Sequence, residues 1–289
     1  MRITKGEKIF NYVNIFLLVL LCAIWLYPFL VVLSSSISSA DAVKAGRVML
    51  LPIELTLDAY VQVFQMKGLW MAYANTIFLT VVGTLVSLVL SICAAYPLSK
   101  KQFRGRTILT LLIALTMWFQ PGIIPTYLNI RNLGLLDTRT SLIIGFACSA
   151  FYIILLRTFF QSIPGTLEEA AKIEGANELQ ILKDIYLPLS TPGLITIGLY
   201  YAIQRWNGFF WASVLLNDQS KIPLQVLLKK LIVDMDVALE QINSVDIVNY
   251  SQETVIFATI IVSIIPIVMI YPFIQKFFIK GIMVGSIKG

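Results

Sequence analysis

The chain has 289 residues, 58% of them hydrophobic and only 13% charged, with a net charge of +6. Its mean hydropathy is +0.82. So low a charged share excludes an ordinary soluble domain and indicates one polytopic membrane domain. The absence of histidine removes imidazole acid–base catalysis and most transition-metal sites.

Arg2, Lys5 and Lys8 precede an apolar run that resembles a signal peptide, with Ser38-Ser39-Ala40 as a cleavage site. From Phe10 to Leu33 the run exceeds a typical h-region and matches the roughly 20 residues of a spanning helix, so an uncleaved first span is expected. Six runs are long enough to cross a bilayer: about 9–33, 72–98, 107–128, 141–160, 192–216 and 254–273. Together they predict an all-α membrane protein of one domain, with an inner segment at 161–191 and an outer loop at 217–253. The long outer loops, 34–71 and 217–253, exceed connecting turns. Within the second, 222–242 reads as an amphipathic stretch in a folded extracellular loop.

Orientation follows from Lys and Arg. The loop carrying Lys100, Lys101, Arg104 and Arg106 has no acid, and Arg2, Lys5, Lys8, Arg157, Lys172, Lys183, Lys276, Lys280 and Lys288 fall on the same side. Both termini and the 161–191 segment are therefore expected in the cytoplasm. This placement explains the positive charge through the membrane, with no nucleic-acid partner. Cys22, Cys93 and Cys148 sit in apolar runs without metal spacing and read as small buried hydrophobes.

No Asp or Glu lies inside a predicted span, which counts against a proton-coupled carrier. No nucleophile–base pair points to an intramembrane enzyme. The polar exception is Gln204-Arg205-Trp206-Asn207 in the fifth span. Arg205 stands 13 residues past Pro192, roughly 20 Å at the helical rise, in the outer half of the bilayer. Two readings stand open: Arg205 snorkels to head groups, or the four residues form a polar patch on a translocation path. Trp206, Phe209, Phe210 and Trp211 add ring faces for a sugar or for an aromatic belt, and Trp118, Phe119, Gln120 and Asn129 are weaker candidates of the same kind.

The 161–191 segment is a polar island between apolar spans. Thr166 and Glu169 stand at capping-box spacing, so a helix is expected from Thr166. Glu168, Glu169 and Lys172 are expected to face water or a partner, with Ala170, Ala171 and Ile173 packing. Gly175 allows a left-handed or tightly packed corner. A helix is expected to resume over 176–185, with Leu179, Leu182 and Ile185 at spacings of three. Pro188 and Pro192 punctuate the return to the membrane.

Glu169-Ala170-Ala171, Gly175, Ile185 and Leu187-Pro188 fill every named position of the EAA signature, and the stretch resembles that of importer-type ATP-binding-cassette permeases. Glu174 stands where the family usually has Asp. Further short matches, Pro125-Thr126-Tyr127, Asn132-Leu133-Gly134-Leu135, Arg157-Thr158-Phe159-Phe160, Trp206-Asn207, Pro223-Leu224-Gln225 and the tail from Gly281, resemble the carbohydrate branch. Within it the chain is similar to the smaller, six-span permease of maltose-type importers and to Gram-positive oligosaccharide permeases.

The resemblance implies a type I importer in a bacterial plasma membrane. Its other parts are a second permease, two copies of an ATPase and an extracellular solute-binding protein, with a carbohydrate as cargo. It assigns Glu169, Ala170, Ala171, Gly175, Ile185, Leu187 and Pro188 to a coupling helix in a cleft of the ATPase. The chain lacks a GxxxxGK[ST] loop, so ATP and Mg are expected on the partner ATPase and this chain is no enzyme. The alternative is a stand-alone ion-coupled carrier or channel.

Overall fold

In the computed structural model the described residues are 5–119, 121–233 and 252–286. Among them every regular element is helical and there is no β-strand. The chain divides into two compact units, residues 1–69 with 228–266 and residues 70–227 with 267–289.

In the first unit, α1 (Lys5–Ser36) is almost wholly apolar and exposed along its length. A helix hydrophobic all round needs an apolar surrounding, which matches the expected first span. Its serine-rich end is buried and fastens the chain that follows. Ser34 Oγ donates to Leu50 O, Ser38 Oγ to Ser34 O, and the Ile53 N–H donates to Ser38 Oγ. Ser39 caps the short α2 (Ala40–Lys44). The Tyr60 hydroxyl, on α3 (Asp58–Gln65), lies 2.8 Å from Ser36 Oγ. The expected outer loop at 34–71 is thus a folded element.

The second unit is organised around α4 (Lys67–Ser99), a 33-residue helix that carries the expected second span. The next three apolar runs are not continuous helices. The 107–128 run divides into α5 (Arg106–Trp118) and α6 (Ile123–Asn132), since Pro121 and Gly122 interrupt the ladder. The 141–160 run divides into α7 (Arg139–Ile144) and α8 (Ala150–Gln161) around Gly145. A Cβ on Gly145 would stand 2.5 Å from Ser141 O.

The inner segment holds α9 (Gly165–Ile173), α10 (Glu178–Ile181), a π-helical turn (Leu182–Tyr186) and a single turn, α11 (Leu187–Leu189). The 192–216 run then divides into α12 (Thr191–Trp206) and α13 (Phe210–Leu215) at Asn207–Gly208. Beyond it, α14 (Leu224–Val233) realises the amphipathic stretch expected over 222–242 as far as Val233, the remainder lying outside the described residues. The final helix is α15 (Gln252–Ser286), a single helix through the expected 254–273 span.

Two helices, Gly6–Ser36 and Lys67–Ser99, are singly long and apolar enough to cross a membrane among the described residues, and up to four spans result if bent pairs count. Breaks account for the runs at 107–128, 141–160 and 192–216, while the last run enters as the shorter apolar helix Glu253–Met269 among the described residues.

Within the second unit, α5 packs on α8 and α8 on α12. Its core joins Ala95 and Leu98 of α4, Ile153, Leu156 and Phe160 of α8, and Ile197 and Tyr201 of α12 to Ile181 and Tyr186 of the inner segment. One continuous apolar cluster therefore runs from the spans into the polar island.

Candidate functional site

The inner segment turns twice in short order. The helix α9 starts at Gly165 from Pro164 without a side-chain cap, so the expected Thr166–Glu169 box does not form. The box stands one helix later. There Asn177 Oδ1 accepts from the Gln180 N–H, and Gln180 Oε1 accepts from the Asn177 N–H. Asn at the N-cap satisfies orphan donors as well as Ser or Thr does. Gly175 ends α9 with φ +86°. The Ala176 N–H donates to Ala171 O and the Gly175 N–H to Lys172 O, the paired bonds of a Schellman stop. Of the two expected uses of Gly175, a left-handed corner and close packing, the first is present, and nothing lies within 4 Å of where a Cβ would be.

The resumed helix then widens. The Leu187 N–H reaches back to Leu182 O, closing a π turn directly before Pro188, which has no N–H of its own. Ile185 and Leu187, with Ala171 and Ala176, pack on the core cluster. Ile173, expected to pack, is 88% exposed, and Leu179 is 77% exposed. The spacing was compatible with a second packing face, but the sharp Gly175 corner directs both residues outward.

Glu168 and Glu169 part company. Glu169 is exposed and makes no hydrogen bond or ion pair among the described residues. It borders a cleft of about 660 Å³ between the Lys100–Arg106 loop and the start of α9. Glu168, expected to face water or a partner, is turned inward, its side chain 12% exposed. Lys100 Nζ stands 2.6 Å from Glu168 Oε2, as an ion pair rather than a well-angled hydrogen bond. Lys172 Nζ donates to Glu168 Oε1 at 2.7 Å, and Tyr186 OH donates to Glu168 Oε2 at 2.7 Å. Glu178 joins through Lys172 at 3.1 Å and through the Tyr96 hydroxyl at 2.7 Å.

Burial alone would raise the Glu168 carboxyl, but the ammonium groups and the Tyr186 hydroxyl more than offset it and hold it down at about 2. Because the folded value lies below the ordinary 4.5, the stabilisation is full above pH 4.5 and is lost as pH falls toward 2. Thermal unfolding of the purified complex is expected to show a constant advantage over Glu168→Gln from pH 7 to about 5, shrinking below that. An advantage that grew on acidification would contradict this account.

The other candidate group lies on α12. The Arg205 guanidinium is taken up by acceptors of the protein itself. Its NH1 donates to Leu142 O, and its NH2 to Phe146 O at 2.8 Å, Ile143 O at 3.2 Å and Ser87 Oγ at 3.2 Å. These carbonyls belong to the end of α7 and the break after it, where helix geometry leaves acceptors without partners. Gly83 of α4 lets the guanidinium approach, since a Cβ there would lie 3.1 Å from Nε. Gln204, Arg205 and Asn207, with Leu79, Phe146 and Phe209, line a cavity of about 400 Å³. Trp206 is not among its walls; its Nε1 is buried without a hydrogen-bond partner.

At the turn before α7, Asp137, at φ +54°, accepts from the Asn217 and Asp218 N–H groups and pairs with Lys221 at 3.2 Å. Asn75 of α4 donates to Ser220 O and Ile222 O, so the chain leading into α14 is fixed to α4.

Sequence reasoning missed the Lys100–Glu168–Lys172–Glu178 network and its rings, Tyr96 and Tyr186. Lys100 counted only as an orientation signal. Lys172 at i+4 from Glu168 was the available hint, since that spacing forms helix ion pairs.

Comparison with known proteins gives the family. The family model described as "Binding-protein-dependent transport system inner membrane component" matches residues 66–284. The polygalacturonan/rhamnogalacturonan transport system permease protein YtcP of Bacillus subtilis (strain 168) is 39% identical, over 98% of this chain and 99% of that protein. A crystal structure of a bacterial ABC transporter involved in the import of the acidic polysaccharide alginate contains a chain 50% identical with a TM-score of 0.91, covering 96% of this chain and 99% of that one. A chain of the alginate transporter in complex with an alginate pentasaccharide-bound periplasmic protein shares the fold at 15% identity and TM-score 0.55, covering 94% of this chain and 96% of that one. The chain belongs to the binding-protein-dependent transport system inner membrane component family, and is a membrane permease component of an ATP-binding-cassette importer rather than an enzyme.

Proposed function

We propose that this permease forms half of the path by which a bacterium imports an oligosaccharide, and that the 161–191 segment couples it to a separate ATPase. The observation that carries the coupling reading is the division of labour within that segment. Ala171, Ile185 and Leu187 are rooted in the membrane unit's core, whereas Glu169, Ile173 and Leu179 stand exposed. Apolar groups at such exposure on a firmly rooted corner suit a partner's cleft. The relatives named for polygalacturonan/rhamnogalacturonan and for alginate support a carbohydrate cargo. The cavity lined by Gln204, Arg205 and Asn207, with aromatic walls, suits a sugar ring on the path, and Trp206 follows Arg205 on the same helix.

In this reading ATP and Mg reside on two copies of the ATPase, a second permease completes the path, and an extracellular binding protein delivers the sugar. The chain crosses the bacterial plasma membrane six times with both termini in the cytoplasm. The Lys and Arg distribution supports that orientation.

The test is purification from native membranes followed by uptake in proteoliposomes. A P-loop ATPase is expected to co-purify, and labelled oligosaccharide uptake is expected to require ATP and binding protein. Reversing Glu169 to Lys should leave insertion intact and cut ATP-dependent uptake by at least about tenfold, the size of a typical inter-site coupling. Uptake driven by an ion gradient without ATP would establish the carrier alternative, and normal uptake by Glu169→Lys would remove Glu169 from the coupling contact.

A further inference from the structure

Lys100 sits one residue beyond the end of α4, yet its side chain is 12% exposed. Its ammonium lies 4.3 Å from the centroid of the Tyr96 ring and 4.1 Å from that of Tyr186. Those two rings meet edge to face at 5.1 Å, and Phe160 closes on Tyr186 at 5.7 Å. On its remaining side are Glu168 at 2.6 Å and Glu178 at 3.8 Å. The cage therefore takes one cation from the end of α4, one ring from α4, one from the π turn, and carboxylates from α9 and the start of α10. Each hydroxyl of the two rings also donates to one of the two carboxylates. Such an ammonium, largely out of water, is held by ring faces and carboxylates together, and loses both if α9 moves away from α4.

We propose that Lys100 is a positioning residue for energy coupling: lodged between Tyr96 and Tyr186 and the Glu168 and Glu178 carboxylates, it locks α9 to the cytoplasmic end of α4, so that movement imposed on α9 is delivered to that spanning helix. The proposal rests on the reading of 161–191 as the ATPase contact. The lock is needed because α9 leaves α8 at 71° and is followed by the Gly175 corner, so the backbone alone is a poor transmitter. Arg157 Nε, donating to Leu98 O at 3.0 Å, braces the same end of α4 from α8.

The experiment uses the purified importer in lipid, with its ATPase and binding protein, and reads sugar molecules taken in per ATP hydrolysed. Lys100→Met is expected to lower that ratio by about tenfold while hydrolysis continues. Lys100→Arg keeps a cation that stacks on the rings and is expected to stay within about twofold of the parent. A merely structural lysine would lower assembly, hydrolysis and uptake together and leave the ratio unchanged; that result, or an unchanged ratio in a fully active complex, overturns the proposal. If Lys100→Met does not assemble, Tyr96→Leu, which removes one ring face and the Glu178 hydrogen bond but keeps the Lys100–Glu168 pair, is read by the same criterion. Cross-linking from a cysteine at Ile173 to the ATPase checks the underlying reading separately. Absence of that cross-link removes the coupling reading and the proposal with it, whereas a cross-link with an unchanged ratio defeats only the role of Lys100.

Discussion

Replacing Arg205 with methionine is expected to abolish uptake and to destabilise the membrane unit by roughly 2–4 kcal/mol, because each part-buried acceptor left unpaired costs about 1–3 kcal/mol and not all relax independently. The guanidinium serves Leu142 O, Ile143 O, Phe146 O and Ser87 Oγ at once. Three of these are backbone acceptors around the α7–α8 break, which its loss would leave without that donor. Arg205→Lys is expected to recover little, since a single ammonium cannot fork across acceptors on two helices. The measurement is the unfolding temperature of the purified complex together with uptake by the same preparation. Wild-type melting with lost uptake would instead place Arg205 on the cargo's path and not in the scaffold.

That prediction also shows what was legible in the sequence. An arginine within an apolar run announces itself, and its depth follows from counting residues after Pro192. Its partners do not, because they are carbonyls of a helix end, and nothing in the sequence of 141–160 shows that α7 stops at Ile144. Gly145 and Ser149 are ordinary inside a span, and the acceptors that the break exposes are satisfied by a residue 59 to 63 positions away. Pro121-Gly122 was a readable interruption, yet the hydrophobic run on both sides outweighed it. The 161–191 segment was more legible. Gly175, Ile185, Leu187 and Pro188 are fixed by local backbone rules, and the structure uses the glycine for its positive φ. The inward turn of Glu168 and the pairing of Lys100 were not read, for a physical reason. Charged residues lie outside unless partnered, and the two carboxylates that pair with Lys100 come from elements 68 to 78 residues away, a relation no local pattern carries.

Gly175 gives the second large effect, and its series separates two costs that are usually confounded. The space around its Cα is open, with nothing within 4 Å of a built Cβ. Only the left-handed φ of +86° penalises substitution. Gly175→Asn is therefore expected to be nearly neutral, as Asn tolerates this region. Gly175→Ala is expected to cost about 1 kcal/mol, and Gly175→Val, with its β-branch, up to about 3 kcal/mol. The strain acts on the Schellman stop, where the Ala176 and Gly175 N–H groups return to Ala171 O and Lys172 O. Releasing it lets α9 run on and displaces Asn177 from its capping box with Gln180. The exposed edge formed by Glu169, Ile173 and Leu179 would then lose its shape while the core residues Ile181 and Tyr186 stay anchored. The expected result is a graded loss of co-purified ATPase in the order Asn, Ala, Val, with faster amide exchange confined to residues 174–182. Equal loss in all three variants would mean that bulk at this corner matters, which the open space denies. Wild-type stoichiometry in Gly175→Val would show that the corner is not what the ATPase grips.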